Sequence, residues 1–146
     1  MTRSTPEITV YVGDLRDRMR LQAWDITVSH DGRPAEDALA DCEPEGQNWH
    51  ARMRFADALF DGDWDRDEQR DYIVHELIHL THRDVTEPLR NGAWRQQVGQ
   101  GLYDQLYGEV VRQMELTVYF LARLVAKSLP YPPWCPEPSG PEEESV

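Results

Sequence analysis

Three of the five histidines in this 146-residue chain fall in YIVHELIHLTH, residues 72 to 82. His75, Glu76 and His79 spell H-E-x-x-H. On a helix, residues four apart lie about 40° apart around the axis, so these two histidines project from one face, one turn apart. Two imidazoles so placed can share one zinc ion at about 2.0–2.1 Å each. Glu76 leans off that axis. It is placed to take a proton from a water that the metal activates, and the nucleophile so formed would attack a peptide carbonyl. With five His and thirteen Glu in the chain, a chance match to so short a motif is roughly one or two in a hundred. The bland alternative is a solvated His–Glu helix pair with no metal.

Zinc in a hydrolytic site takes a third protein ligand and leaves a fourth position open. The extension H-E-x-x-H-x-x-G-x-x-H is absent: His82 stands at the Gly position and Val85 where a third His would be. A Glu on a later helix is the simplest remaining source, with Glu109 and Glu115 as candidates. Six positions on a helix are about 240° apart, so both cannot face one ion. Glu115, at the edge of an apolar stripe between Met114 and Val118, is the choice.

His82 shares the His75 face, but the rise of the helix places it over 10 Å along the axis. Its expected place is outside the direct ligands: lining the cleft, holding substrate, or simply polar. Tyr119, one turn after Glu115, is a candidate to orient that carboxylate or to donate to a developing oxyanion. The competing reading of Tyr119 is a core tyrosine with a wet hydroxyl.

The elements that must hold these side chains are legible in part. Asp65 and Glu68 form a D-x-x-E capping box, which predicts a helix from about residue 66 through His82. Ile73, Val74, Leu77 and Ile78 give it an apolar stripe. Leu102, Leu106, Val110, Met114, Val118, Leu121 and Val125 recur at helical spacing and predict a core-facing helix of roughly 25 residues, stopped at Leu129-Pro130. Upstream, WDITVSH alternates at the strand period, and so does WHARMRFADALF (49–60), read as one strand with Arg52 and Arg54 on the wet face. EDALADC (36–42) reads as either strand or helix. ITVYV (8–12) reads as a short strand or the lead-in to a helix near 14–22, and residues 1–6 as a loose end. Turns are expected at Asp31-Gly32 and Pro34, in EPEGQN, and at Pro88 and Asn91-Gly92.

The length suits one domain, here residues 1–129. Residues 130–146, with six prolines and a terminal Glu run, read as a flexible tail on which Trp134 can still dock. The net charge of −12 with no segregated basic patch argues against nucleic acid. No run of about 20 apolar residues suggests a membrane partner. Two cysteines, Cys42 and Cys135, in a chain with no recognisable leader read as cytosolic thiols.

The stretches WDITVS, ARMRFADALF, DEQRDYIVHELIHLTH and VVRQMELTVYFLARLVA together resemble the small metallopeptidase-like proteins of bacteriophage and prophage genomes, minimal gluzincins. ELTVYFLARLV also resembles the third-ligand helix of ImmA/IrrE-type metallopeptidases, although Leu116, Thr117 and Tyr119-Phe120 replace that group's small residue, Asn and Phe-Ala. The resemblance implies an α+β fold: a small, twisted, mostly antiparallel sheet packed on the H-E-x-x-H helix and a long C-terminal helix. It implies one Zn2+ held by His75, His79 and Glu115, with Glu76 as base. The expected function is a zinc-dependent peptidase acting on a protein or peptide substrate in the cytoplasm of a bacterial host. The alternative is a catalytically silent, metal-stabilised assembly module, with phage structural partners or a place in the virion.

Overall fold

The computed structural model describes residues 5–29, 38–45, 48–83 and 93–136. The expected turns at Asp31-Gly32, Pro34, Pro88 and Asn91-Gly92, and the terminal Glu run, lie outside those residues.

Helix α1 spans Thr5–Arg18. It therefore begins well before the helix expected near 14–22, and ITVYV lies inside it. The β-branched residues there favour a strand by propensity, but Ile8, Tyr11, Val12 and Leu15 form one helical face that is buried. Packing of that face outweighs a propensity of a few tenths of a kcal/mol per residue. The helix ends in a Schellman turn: Leu21 N–H donates to Arg16 O at 2.9 Å and Arg20 N–H to Asp17 O at 3.2 Å. Arg20 occupies the left-handed position usually given to glycine, with φ of 62°.

Three strands follow: β1 (Asp25–Ser29), β2 (Ala40–Pro44) and β3 (His50–Phe55), in sheet order β1-β3-β2. The ambiguous 36–42 segment thus resolves as strand from Ala40. β3 pairs parallel with β1 and antiparallel with β2, so the small sheet is mixed. Ala51, Met53 and Phe55 are buried on its inner face. Arg52 and Arg54 point outward as their alternation requires, Arg54 gripping Asp41 of β2 and Arg52 pairing with Glu45.

The strand expected over 49–60 ends at Phe55: Phe60 N–H and Asp61 N–H both donate to Asp57 O at 2.9 Å, and the chain turns into a short helix α2 (Ala58–Asp61) that leads to α3 (Arg66–His79). The capping box is formed as expected: Glu68 N–H donates to Asp65 Oδ1 at 2.8 Å, and Asp65 N–H to Glu68 Oε2 at 2.9 Å. The α-helix stops at His79, and Leu80–His82 tighten into a 3-10 turn. After α4 (Ala93–Val98), α5 runs from Gln100 to Ala126 and packs on α3. The fold is α+β, with the inner face of the sheet, α1 and α3 sharing one core.

Two expectations change. Of the predicted stripe on α5, Val118 is buried, but Leu102, Leu106 and Leu121 are exposed. The cause is helical drift: each four-residue step advances about 40°, so Leu106 and Leu102 lie about 120° and 160° around the axis from Val118, turned away from α3. The tail from residue 130 also begins as part of the body. Tyr11 Oη–H donates to Pro130 O at 2.8 Å, Pro132 is buried, and Trp134 Nε1–H donates to Gln69 Oε1 at 2.9 Å. Trp134 meets Tyr11 and Phe60 edge to face, while the Tyr131 ring lies under the guanidiniums of Arg66 and Arg70. These contacts supply the apolar burial that composition alone did not promise. Among the described residues no helix is long and apolar enough to cross a membrane.

Candidate metal centre

The apolar stripe of α3 fixes its rotation about its own axis. With Ile73, Val74 and Leu77 fully buried, His75 and His79 emerge together on the side facing α5. Their rings lie 4.9 Å apart at 72°, and their Nε2 atoms are 3.1 Å apart. Glu115 of α5 closes the triangle, with Oε2 at 3.4 Å from His75 Nε2 and Oε1 at 3.3 Å from His79 Nε2. The three donor atoms lie within 4.8 Å of one another and form a group that could hold a metal ion.

The spacing fits that use. A tetrahedral ion with bonds of about 2.0–2.1 Å sets its ligand atoms roughly 3.3 Å from one another. The donor set of two imidazole nitrogens and a carboxylate oxygen suits zinc and several other divalent first-row ions. Glu109, the other candidate, is engaged on a different side of α5, where Arg112 donates to it at 2.7 Å and Gln113 at 3.0 Å.

The electrostatics separate the roles. Burial lowers the His75 pKa from its ordinary value, against the pull of the Glu115 charge. A neutral imidazole is the form that ligates a metal. Glu76 is driven the other way. Burial first, then the charges of Glu115 and Asp41, push its carboxyl up to about 8, and a hydrogen bond from the backbone N–H of Cys42 partly opposes them. A carboxyl titrating near neutrality beside a metal-type cluster is suited to accepting and returning a proton.

His75 and Glu76 open into a cleft of about 350 Å³ walled by Trp64, Tyr72, Tyr119 and Ala122, with Glu68, Asp71 and Arg123 at its polar edges. Tyr119 therefore lies on the cleft as anticipated, but its hydroxyl makes no hydrogen bond to Glu115 among the described residues. Its ring instead lies under the Arg123 guanidinium at 5.3 Å. His82 is not among the residues lining this cleft. It sits in the 3-10 turn with Nδ1 3.4 Å from Ile78 O and 3.1 Å from Thr81 Oγ1.

Sequence reasoning leaves β2 open as strand or helix and does not connect it to the site. Asp41 and Cys42 approach Glu76 from the sheet edge, and no local signal marks them, because ADC carries no motif and its strand was itself ambiguous. Trp64 and Tyr72, which pack edge to face at 5.3 Å beside the cleft, were detectable only as exposed-side aromatics flanking the motif.

Compared with protein-family models, with curated proteins and with solved structures, the chain has no match.

Proposed function

We propose that this chain is a zinc-dependent peptidase, cutting a protein or peptide substrate bound in the cleft beside His75 and Glu76. The observation that carries the reading is the convergence of His75, His79 and Glu115 on one point, with a half-buried carboxyl, Glu76, next to it. His75 and His79 would hold the ion from α3, and Glu115 from α5. When bound, zinc supplies polarisation of a carbonyl and a lowered pKa for water. Glu76 would then accept a proton from the attacking water and deliver it to the departing amine. The aromatic walls of Trp64, Tyr72 and Tyr119 would bind substrate side chains and exclude water.

The test pairs metal content with turnover. Purified protein should carry about one zinc per chain and cleave members of a diverse quenched-fluorescent peptide library. Glu76→Gln should retain the zinc and lose at least about 100-fold in rate, the contribution expected of a general base. Bound zinc with no cleavage of any peptide would overturn the peptidase reading in favour of a metal-stabilised assembly module.

A further inference from the structure

Opposite the face that packs on α3, helix α5 carries an apolar stripe. Leu102, Leu106, Leu116, Phe120 and Leu124 are 50, 41, 55, 63 and 53% exposed. None of the described residues buries them. Leu102 and Leu106, Glu109 and Gln113, and Leu116 and Phe120 follow the alternating four-three spacing of a two-stranded helical seam.

We propose that this stripe is the interface of an antiparallel homodimer, built by α5 of one chain lying along α5 of a second copy. The proposal is independent of any catalytic role.

Three observations select a second copy as the occupant. The first is area. At their observed exposures the five side chains present roughly 500 Å² of apolar surface, the upper end of what a monomer leaves bare. Two such faces joined reach about 1,000 Å² before any flanking residue is added, which is where specific interfaces begin. The second is charge. The chain as a whole carries −12, which would repel a like copy. The interface helix is almost balanced: Asp104, Glu109 and Glu115 stand against Arg112 and Arg123, with Lys127 at its C-cap. The third is register. Laid antiparallel, the stripe is self-complementary: Leu102 comes opposite Phe120, Leu106 opposite Leu116, and Glu109 opposite Gln113. A polar layer at the middle of an apolar seam fixes register. A parallel pair would instead set Glu109 against Glu109. Antiparallel packing also places the two bodies at opposite ends, because α3 covers only the half of α5 that holds Val118, Ala122 and Ala126.

Light scattering coupled to size exclusion tests this. The full chain at about 50 µM should elute at twice its 17.0 kDa mass. The double variant Leu116→Glu, Phe120→Glu should fall to the single-chain mass. Val10→Glu, at an apolar residue 74% exposed on α1, should remain dimeric. Where the double variant does not fold, as judged by circular dichroism, cross-linking decides. In a background of Cys42→Ser and Cys135→Ser, a mixture of Leu106→Cys and Leu116→Cys chains should form a disulfide-linked dimer that neither forms alone. A single-chain mass for the wild type, a dimer that survives the double variant, or self-cross-linking of either single variant would overturn the proposal.

Discussion

Glu115 and His79 sit on different helices, yet Oε1 of the one is 3.3 Å from Nε2 of the other. Nothing in either helix alone brings them together. The contact exists because Val118 and Ala122, within two turns of Glu115, are buried where α5 crosses α3.

Removing that carboxylate should therefore separate metal binding from folding. Glu115→Gln is expected to leave the far-ultraviolet circular dichroism spectrum unchanged. Zinc affinity should fall by at least about 100-fold, since even partners that only orient a ligand are worth 10–100-fold. Competition against a chromophoric chelator measures this directly. Chelation of the wild type should lower its Tm, because metal bound only by the folded chain adds to folding free energy, whereas the variant's Tm should barely move.

Glu76 makes stability depend on pH in the metal-free protein. Its carboxyl is raised to about 8 from an ordinary 4.5. Between those values the unfolded chain has released the proton and the folded chain still holds it, so stability falls as pH rises through that window. Below it both states are protonated and the effect vanishes. Glu76→Gln removes this dependence, so the variant's advantage over wild type should grow from pH 5 to pH 8. The limit is on the order of a few kcal/mol, at about 1.4 kcal/mol for each pH unit by which the titration is displaced. His75, whose pKa is lowered, acts in the opposite direction at more acidic pH, but equally in both proteins. Urea titrations at several pH values in the presence of chelator would read the difference. A constant gap would contradict the environment assigned to Glu76.

The two thiols should differ in reactivity. Burial, together with the nearby charges of Glu76 and Asp41, raises the Cys42 pKa far above its ordinary value. Since the thiolate is the reactive form, Cys42 should resist iodoacetamide at pH 8 while the chain is folded and react only on denaturation. Mass spectrometry of alkylated peptides assigns the site. Ready labelling of Cys42 in the folded protein would show that β2 does not lie against α3 as described.

Trp134 ties the C-terminal segment to the helix that carries the histidines. Trp134→Ala should cost about 2 kcal/mol: it strips an edge-to-face cluster with Tyr11 and Phe60, and it leaves the buried Gln69 carbonyl without its donor. Trp134→Phe should retain about half of that by keeping the ring contacts. Denaturation midpoints at an unchanged m-value would measure both.

The sequence by itself determined what is local. The capping box at Asp65 and Glu68 set where α3 begins. The helical period then put His75 and His79 on one face, and strand alternation sent Arg52 and Arg54 outward. These follow from 3.6-residue and 2-residue repeats, which act over a single turn or pleat. The choice of Glu115 over Glu109 was also legible, because its place beside Val118 ties it to the covered side of α5. The rest required the tertiary structure. Leu102, Leu106 and Val118 belong to one four-residue repeat that drifts around α5, and only the packing of α3 on the Val118 side decides which of them are covered. ITVYV is helical because the core accepts Ile8 and Leu15 on one helical stripe. Asp41 and Cys42 reach Glu76 because an edge strand was laid against α3. Each of these depends on which surfaces meet across long chain separations. That outcome is set by packing over the whole core, and no short window of residues encodes it.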